Sequence, residues 1–349
     1  MARYPQSEKE RRIDAGRLRQ WVTRIFADCG MAEGDASLLA DSLVAADVRG
    51  IHSHGVLRVP DYVRKLRLEG VDPKGRPAVV KDRGAALVVD GGNSMGQIGC
   101  SFAMGRAIER AGETGVAAVA VRGSNHCGAM FYYTLQAMRA GMIGIATTNA
   151  LPTMAPWGGK DKIVGINPLS IAIPAGEEAP VVLDAAFSYS SHGKIRIFHQ
   201  KGAEIPDTWA FDADGNPTTD AARALEGLLQ PIGEFKGAGL AIVFGMLSSM
   251  LSGAAYGTEL GNMVDGPKAG QDGHLVIALH VEAFEDPARF RQRVDAAVRE
   301  IRNSRRVDGV ETLYAPGGLE AEVEAEYMRN GIPLHEATWR GLEELYTLR

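Results

Sequence analysis

Fourteen residues, Arg49-Gly-Ile-His-Ser-His-Gly-Val-Leu-Arg-Val-Pro-Asp-Tyr62, gather His52, Ser53, His54, Arg58 and Tyr62 beside a glycine hinge. Histidine donates or takes a proton near neutral pH, and arginine clamps a carboxylate through two parallel hydrogen bonds. If a helix begins just after Gly55, Pro60 falls in or near its first turn, where its missing N–H does little harm. His54 and Arg58 then sit at the positive end of that helix, a favourable place for a substrate carboxylate. The plainer alternative is a helix cap with surface charges. His52-x-His54 also has the look of a metal pair, but no third ligand has matching local spacing, so no metal is expected.

A second cluster, Gly123-Ser-Asn-His-Cys-Gly128, follows an apolar run ending at Val121, and active residues of α/β folds gather at such strand-to-helix turns. His126 is thus another candidate acid or base. Cys127 reads as a small packed residue rather than a nucleophile. Polar turns also occupy Gly158 to Pro168 and Asp184-Ala-Ala-Phe-Ser-Tyr-Ser-Ser-His-Gly-Lys194. Such turns offer N–H groups and hydroxyls to a phosphate, though ordinary turn chemistry explains them equally well. Lys236 precedes an apolar helix beginning near Leu240 and is placed to hold an anion at its N-terminus. Neither G-x-G-x-x-G after a strand nor G-x-x-x-x-G-K-[ST] occurs, so a bound dinucleotide would lack the Rossmann fingerprint. Gly92-Asn-Ser-Met-Gly96 does satisfy G-x-S-x-G, which leaves a serine hydrolase using Ser94 as the alternative from another enzyme class.

These residues need elements to hold them. Leu18, Trp21, Val22, Ile25 and Phe26 recur at helical spacing over 14–29, and Leu38, Leu39, Leu43 and Ala46 mark a second helix with Asp35 as N-cap and Gly50 as stop. From residue 85 the pattern changes to short β-branched runs: 85–90, 116–121, 143–148, 169–173, 181–183 and 275–281. Helices over 102–111 and 130–140 separate the early ones, and Asp286-Pro287 opens a long helix carrying Phe290, Val294, Val298 and Ile301. Two further helices, 320–329 and 336–345, close the chain. The fold class is therefore α/β: a sheet domain over 85–285 and a helical domain built from 1–84 together with 286–349, with the active site in the cleft between them.

At 349 residues the chain exceeds the ~250 to 300 at which one core usually divides, which agrees with two domains. With 38 Lys and Arg against 43 Asp and Glu the net charge is −5, which argues against a nucleic-acid partner. Three cysteines with no metal-knuckle spacing fit a reducing cytoplasm, and the charged stretch Met1 to Arg12 carries no expectation of a secretory signal or anchor. The uncharged segment Gly237 to Gly257 is diluted by Ser248, Ser249, Ser252 and five glycines, so it reads as a buried helix rather than a membrane span.

In order along the chain, these segments resemble the type 2 malate/L-lactate dehydrogenase family, which includes ureidoglycolate, sulfolactate and diketogulonate dehydrogenases and a piperideine-2-carboxylate reductase. The resemblance is carried by Asp47 to Arg58, Ser124-Asn-His-Cys-Gly, Thr148-Asn-Ala-Leu-Pro, Gly165-Ile-Asn-Pro, Ile205 to Asp220, Lys236-Gly-Ala-Gly-Leu and Leu251-Ser-Gly, from about residue 14 to residue 320. It implies a non-Rossmann NAD(P)-dependent oxidoreductase, most simply a homodimer, that moves hydride between nicotinamide and the α-carbon of a small 2-hydroxy or 2-oxo acid. Within the same family a cyclic imino acid is the other substrate class. The resemblance puts the acid/base histidine at His54 beside Ser53, the carboxylate arginine at Arg58 and a second active-site histidine at His126. It puts cofactor contacts at Ser124, at Asp184, Ala185, Ala186, Phe187, Ser188, Tyr189 and Ser190, at Phe235 and Lys236, and at Pro316, Gly317 and Gly318, with NAD favoured over NADP. The chain departs from the family pattern at Gly318, where an acidic residue is usual, at Glu234-Phe235, and at Ala150, near which some relatives carry a lysine.

Overall fold

A computed structural model describes residues 9–263 and 267–347. The first eight residues of the charged N-terminal stretch lie outside that range. The chain opens with β1 (Glu10–Ile13), α1 (Ala15–Ala27) and α2 (Glu33–Val48), then reaches α3 (Val59–Arg67) through two short 3₁₀ turns over His52–His54 and Val56–Arg58. The first two helices form where the apolar spacing places them, because Leu18, Val22, Ile25 and Phe26 of α1 and Leu39, Leu43 and Val44 of α2 are fully or almost fully buried. Each such side chain contributes about 1.5–3 kcal/mol relative to staying in water. Asp35 is not the cap of α2. That position is Ala32, and Asp35 lies in the first turn, where it meets Arg76. Gly50 takes a φ of 74° just past the end of α2, a conformation that costs glycine little.

Next come β2 (Ala78–Arg83), β3 (Ala86–Asp90), α4 (Gly96–Thr114), β4 (Val116–Ser124), α5 (Phe131–Arg139), β5 (Met142–Thr148), and a small hairpin of β6 (Pro152–Met154) and β7 (Val164–Gly165). They are followed by β8 (Leu169–Ile173), β9 (Val181–Ala185), α6 (His192–Gln200), β10 (Ala210–Phe211), α7 (Ala221–Glu226) and β11 (Leu228–Leu229). The chain closes with α8 (Phe235–Ser249), β12 (Asp272–His280), α9 (Pro287–Asn303), α10 (Gly318–Asn330), β13 (Ile332–His335) and α11 (Glu336–Thr347).

Seven strands make the central sheet in the order β2-β3-β4-β12-β5-β8-β9. Only β3 and β4 run parallel; every other neighbouring pair is antiparallel. An all-parallel sheet needs a crossover between each pair, whereas this one inserts the late strand β12 between β4 and β5, so it is not a doubly wound nucleotide fold. Helices α4 and α5 cover one face, burying Cys100, Ala103, Met104, Tyr133 and Ala137 against Val119, Val121 and Val276. Helix α8 packs across β12, β5 and β4.

Three differences from the sequence reading have physical causes. The edge strand β2 lacks a buried face, so no alternating pattern marks it. Strand β1 is four residues long and is made by pairing with β13 at the far end of the chain, a long-range contact no local signal announces. Helix α8 ends at Ser249, and it is not buried all round: Leu240, Val243, Met246 and Met250 are 41–54% exposed along one face. Among the described residues no helix is long and apolar enough to cross a membrane.

Candidate active site

The turn that carries His54 and Arg58 is built around one buried carboxylate. Asp47, at the end of α2 and 1% exposed, accepts from His52 Nδ1 at 2.7 Å and from the Val56 N–H at 2.7 Å. Gly55 lies against it so closely that a β-carbon there would occupy the space of the carboxylate. His52 is held there with its ring stacked on Tyr327, and among the described residues neither His52 nor His54 belongs to a group of three metal-ligating side chains. The next residue, Ser53, does two things: its carbonyl accepts from Arg58 Nε at 2.8 Å and its hydroxyl lies 3.0 Å from His54 Nδ1. Pro60 then falls in the first turn of α3, as its missing N–H permits.

His54, Arg58 and Tyr62 converge with His126 on a cavity of about 280 Å³. The two imidazole rings stack nearly parallel, with centroids 5.9 Å apart. Nδ1 of His126 accepts from the Gly128 N–H at 3.3 Å and from the Tyr62 hydroxyl at 2.6 Å, while Tyr62 accepts from Gln97 Nε2 at 3.1 Å. An N–H can only donate, so Nδ1 of His126 is unprotonated and its ring proton sits on Nε2. Both histidines are held neutral: burial and the Arg58 charge push His54 down to about 3 and His126 well below the usual imidazole range.

The cavity also takes residues that sequence reasoning did not single out. Arg196 reaches it from α6, and Asp272 from the start of β12 has its carboxyl pushed up to about 7 by burial. Buried Lys65 donates to the carbonyls of Asn262 and Lys268 at 2.8 Å each, which ties α3 to the chain on either side of residues 264–266. Nothing local could have flagged these residues, since they come from separate elements. Asn125 joins the wall with His126, and its side chain fastens Ser94 and Gly270 at 2.9 and 2.8 Å.

The expected cofactor residues fall into two groups. The strap 187–190 runs beside 230–232, with Phe187 bonded to Ile166 and Ile232 and Tyr189 to Gln230, so it runs close to the start of α8, where Phe235 and Lys236 are exposed. The Pro316 carbonyl accepts from Val182 at 2.9 Å, and Gly317 lies against the same residue, which lays this turn on β9 two residues before Asp184. Two residues have other partners. Asp184 accepts from the N–H of Phe131 at the start of α5, and Ser124 is fully buried with its hydroxyl 2.8 Å from His274. The donor set still fits a polar cofactor, because the buried Ser190 and Thr153 hydroxyls have no hydrogen-bond partner among the described residues. Cys127 is packed in the core as expected, and with Cys100 and His274 it forms a buried group whose ligand atoms lie within 4.8 Å of one another. Ser94 is 2% exposed and donates to the carbonyl of Met95, away from any histidine among the described hydrogen bonds, so the hydrolase alternative has no triad.

A family model described as malate/L-lactate dehydrogenase matches residues 13–343. The chain belongs to this family. It is 38% identical to the L-sulfolactate dehydrogenase of Methanocaldococcus jannaschii over 341 residues, 98% of this chain and 95% of that one. It is 34% identical to the malate dehydrogenase of Pyrococcus abyssi, over 96% of this chain and 94% of that one. Among solved structures, malate dehydrogenase from Pyrococcus horikoshii superposes with a TM-score of 0.91 at 31% identity, covering 99% and 97% of the two chains. Δ1-Piperideine-2-carboxylate reductase from Pseudomonas syringae gives 0.85 at 29% identity, covering 96% and 99%. The protein is thus an oxidoreductase of the nicotinamide-dependent 2-hydroxy acid dehydrogenase kind, with the mixed sheet of that family in place of a Rossmann fold.

Gly55→Ala forces the turn off Asp47. It is expected to lower stability by about 1–3 kcal/mol in urea unfolding and to reduce activity in the protein that remains folded. Unchanged values of both would show that the turn tolerates a shift.

Proposed function

We propose that the cavity lined by His54, Arg58 and His126 oxidises a small 2-hydroxy acid, or reduces the matching 2-oxo acid, with each residue in a separate role. The observation that carries this reading is the convergence of a buried arginine and two neutral, differently engaged imidazoles on one cavity. Arg58, held through Nε by Ser53, offers its remaining guanidinium edge to the substrate carboxylate. His54, whose Nδ1 rests on Ser53, takes the hydroxyl proton at Nε2 during oxidation and returns it during reduction. His126 presents Nε2–H and stabilises the charge that develops on the same oxygen. The nicotinamide ring, when bound, supplies the hydride acceptor or donor.

The carboxylate and the proton transfer are linked. Burial lowers the His54 pKa most and the Arg58 charge lowers it further, so an anion on that arginine offsets the second effect and makes His54 a better base in the substrate complex than in the free enzyme. Residues Asp184 to Ser190, Phe235, Lys236 and Pro316 to Gly318 are the proposed cofactor contacts. NAD is the proposed cofactor, supported by the ureidoglycolate dehydrogenase (NAD(+)) of Escherichia coli, 33% identical over 307 residues. A cytoplasmic setting is supported by the unpaired cysteines Cys29, Cys100 and Cys127. The domain division at residues 85 and 285 is supported by a separate apolar core in the helical part, where α1, α2 and α3 meet β13 and α11.

The test is a sweep of 2-hydroxy acids with NAD and NADP, and of 2-oxo acids and cyclic imines with the reduced forms. Turnover of a 2-hydroxy acid is expected, faster with NAD. Arg58→Lys should lower it by more than about tenfold with little change in cofactor affinity, since lysine cannot reproduce the fork. His54→Asn should lower kcat by about 10²- to 10⁴-fold and flatten its pH profile, and His126→Asn should cost less and keep the profile. Reduction of cyclic imines alone would replace the hydroxy-acid reading, and a profile lost with His126→Asn but kept with His54→Asn would exchange the two roles.

A homodimer is part of the same proposal. The exposed apolar face of α8, with Leu240, Val243, Met246, Leu247 and Met250, suits a second copy of this chain. Light scattering at micromolar concentration should give twice the chain mass, and a fully active monomer would contradict it.

A further inference from the structure

The Gly92-Asn-Ser-Met-Gly96 match has a use that is not nucleophilic. Gly96 opens α4, and a β-carbon at that position would overlap the carbonyl oxygen of Asn125 and come within 2.7 Å of that of His126, so glycine is what lets the helix start against the His126 turn. The residue that follows, Gln97, is thereby carried beneath the active site. It is fully buried, and its Nε2 lies 3.1 Å from the Tyr62 hydroxyl. A β-carbon on Gly128 would stand just as close to the same nitrogen, at 3.1 Å. Gly96 and Gly128 thus make room for one amide between α4 and the 125–128 turn.

The hydrogen bonds through that amide run in one direction. The Gly128 N–H and the Tyr62 hydroxyl both reach Nδ1 of His126, and since the N–H can only donate, Nδ1 accepts and the tyrosine gives it its single proton. The Tyr62 oxygen is then left with lone pairs alone, so Gln97 turns its NH₂ toward it and its carbonyl away. Oε1 of Gln97 is accordingly buried with no hydrogen-bond partner among the described residues. A bare buried oxygen is costly, and turning the amide over would satisfy it with the Tyr62 proton. That same turn would take the proton away from His126. The chain of donors from Gln97 through Tyr62 therefore ends on the ring that lines the cavity.

We propose that Gln97 is a positioning residue of the reaction: by donating to Tyr62 it commits the tyrosine proton to Nδ1 of His126, which keeps the imidazole proton on Nε2 and strengthens that N–H as a donor to the substrate oxygen. This rests on the reading of His126 as the group that stabilises charge on that oxygen. Gln97 does not line the cavity, so it acts through the two rings. What it secures is the direction of the chain. An acceptor in its place, such as an ionised carboxylate, draws the Tyr62 proton to itself, and Tyr62 then offers His126 a lone pair where Nδ1 needs a donor. A ring that answers by carrying its proton on Nδ1 turns a bare nitrogen toward the developing negative charge and repels it.

The experiment combines turnover with ¹⁵N histidine spectra for Gln97→Met and Gln97→Glu. Methionine keeps the length and loses both polar groups, whereas glutamate keeps the shape, donates when protonated and only accepts when ionised. The titratable groups that face Tyr62 are His126, Arg58, Asp61 and Cys127, and all of them stay in place in both variants. Gln97→Met should lower kcat about tenfold with KM nearly unchanged, less than the roughly 10²- to 10³-fold lost when a donor that touches the oxyanion is removed. Gln97→Glu should match the wild type at low pH, where its carboxyl is protonated, and fall below it as pH rises and the carboxyl ionises, a step that Gln97→Met lacks. Over the same range the His126 proton should leave Nε2 for Nδ1 in Gln97→Glu and stay on Nε2 in the wild type. A carboxyl ionised at every pH gives the same loss and the same shifted proton throughout, which also supports the proposal. Wild-type kcat in both variants overturns it. So does a His126 proton that stays on Nε2 in Gln97→Glu up to about pH 10, above the range to which burial lifts a glutamate, because Gln97 then only fills space. If no 2-hydroxy acid is oxidised while the His126 proton still follows the residue at position 97, the dehydrogenase reading fails and the donor chain stands.

Discussion

The site depends on the Asp47 carboxylate. Buried at the end of α2, it holds His52 on one oxygen and the Val56 N–H on the other, and so folds seven residues into two tight turns. Everything with chemical potential follows from that grip. Ser53 is brought under Arg58, the Arg58 side chain is pinned through Nε, and His54 is left on the cavity wall with its Nδ1 engaged. A carboxylate this buried stabilises the fold only when its oxygens are satisfied, and here each has a donor at 2.7 Å. Catalytic geometry and local stability are therefore one arrangement.

Electrostatics then separates the two histidines. They are stacked and equally enclosed, yet their Nδ1 atoms meet different partners, a serine hydroxyl for His54 and a tyrosine hydroxyl with a backbone N–H for His126. The first arrangement leaves room for a basic Nε2; the second requires a protonated one. Burial first, and the Arg58 charge second, keep both uncharged. The same field that attracts a carboxylate adds to the effect of burial on the base, and the incoming charge offsets that added part.

Much of this was legible in the chain. The cluster from Arg49 to Tyr62 and the turn around His126 stand out because polar groups are dense beside glycines, and the structure brings both to one cavity. Six of the seven strands of the central sheet were readable because each carries a short apolar run, the edge strand β2 being the exception, and so was the absence of a Rossmann turn. What could not be read was assembly over distance. Asp272 and Arg196 look like ordinary charged residues in a strand and a helix, and only the insertion of β12 between β4 and β5 and the docking of α6 on the 52–58 turn bring them to the site. Lys65 reads as one more solvated lysine of a helix until its ammonium is seen gripping two loop carbonyls. The exposed face of α8 escaped for the opposite reason, since an uncharged apolar stretch reads as buried whether its cover comes from the same chain or from another.

The central claim is that burial and the Arg58 charge together hold His54 neutral in the free protein and that a bound anion offsets the Arg58 share, and histidine NMR tests it most directly. With the imidazoles labelled with ¹⁵N, His54 is followed from pH 7 to pH 5 in the free protein and in the complex with reduced cofactor and oxamate, an unreactive 2-oxo acid mimic. The account predicts a neutral His54 across that range in the free protein, and in the oxamate complex a titration that moves toward 6.5 and is lost in Arg58→Gln. A His54 already protonated at pH 6 in the free protein, or a titration that oxamate leaves in place, would contradict it.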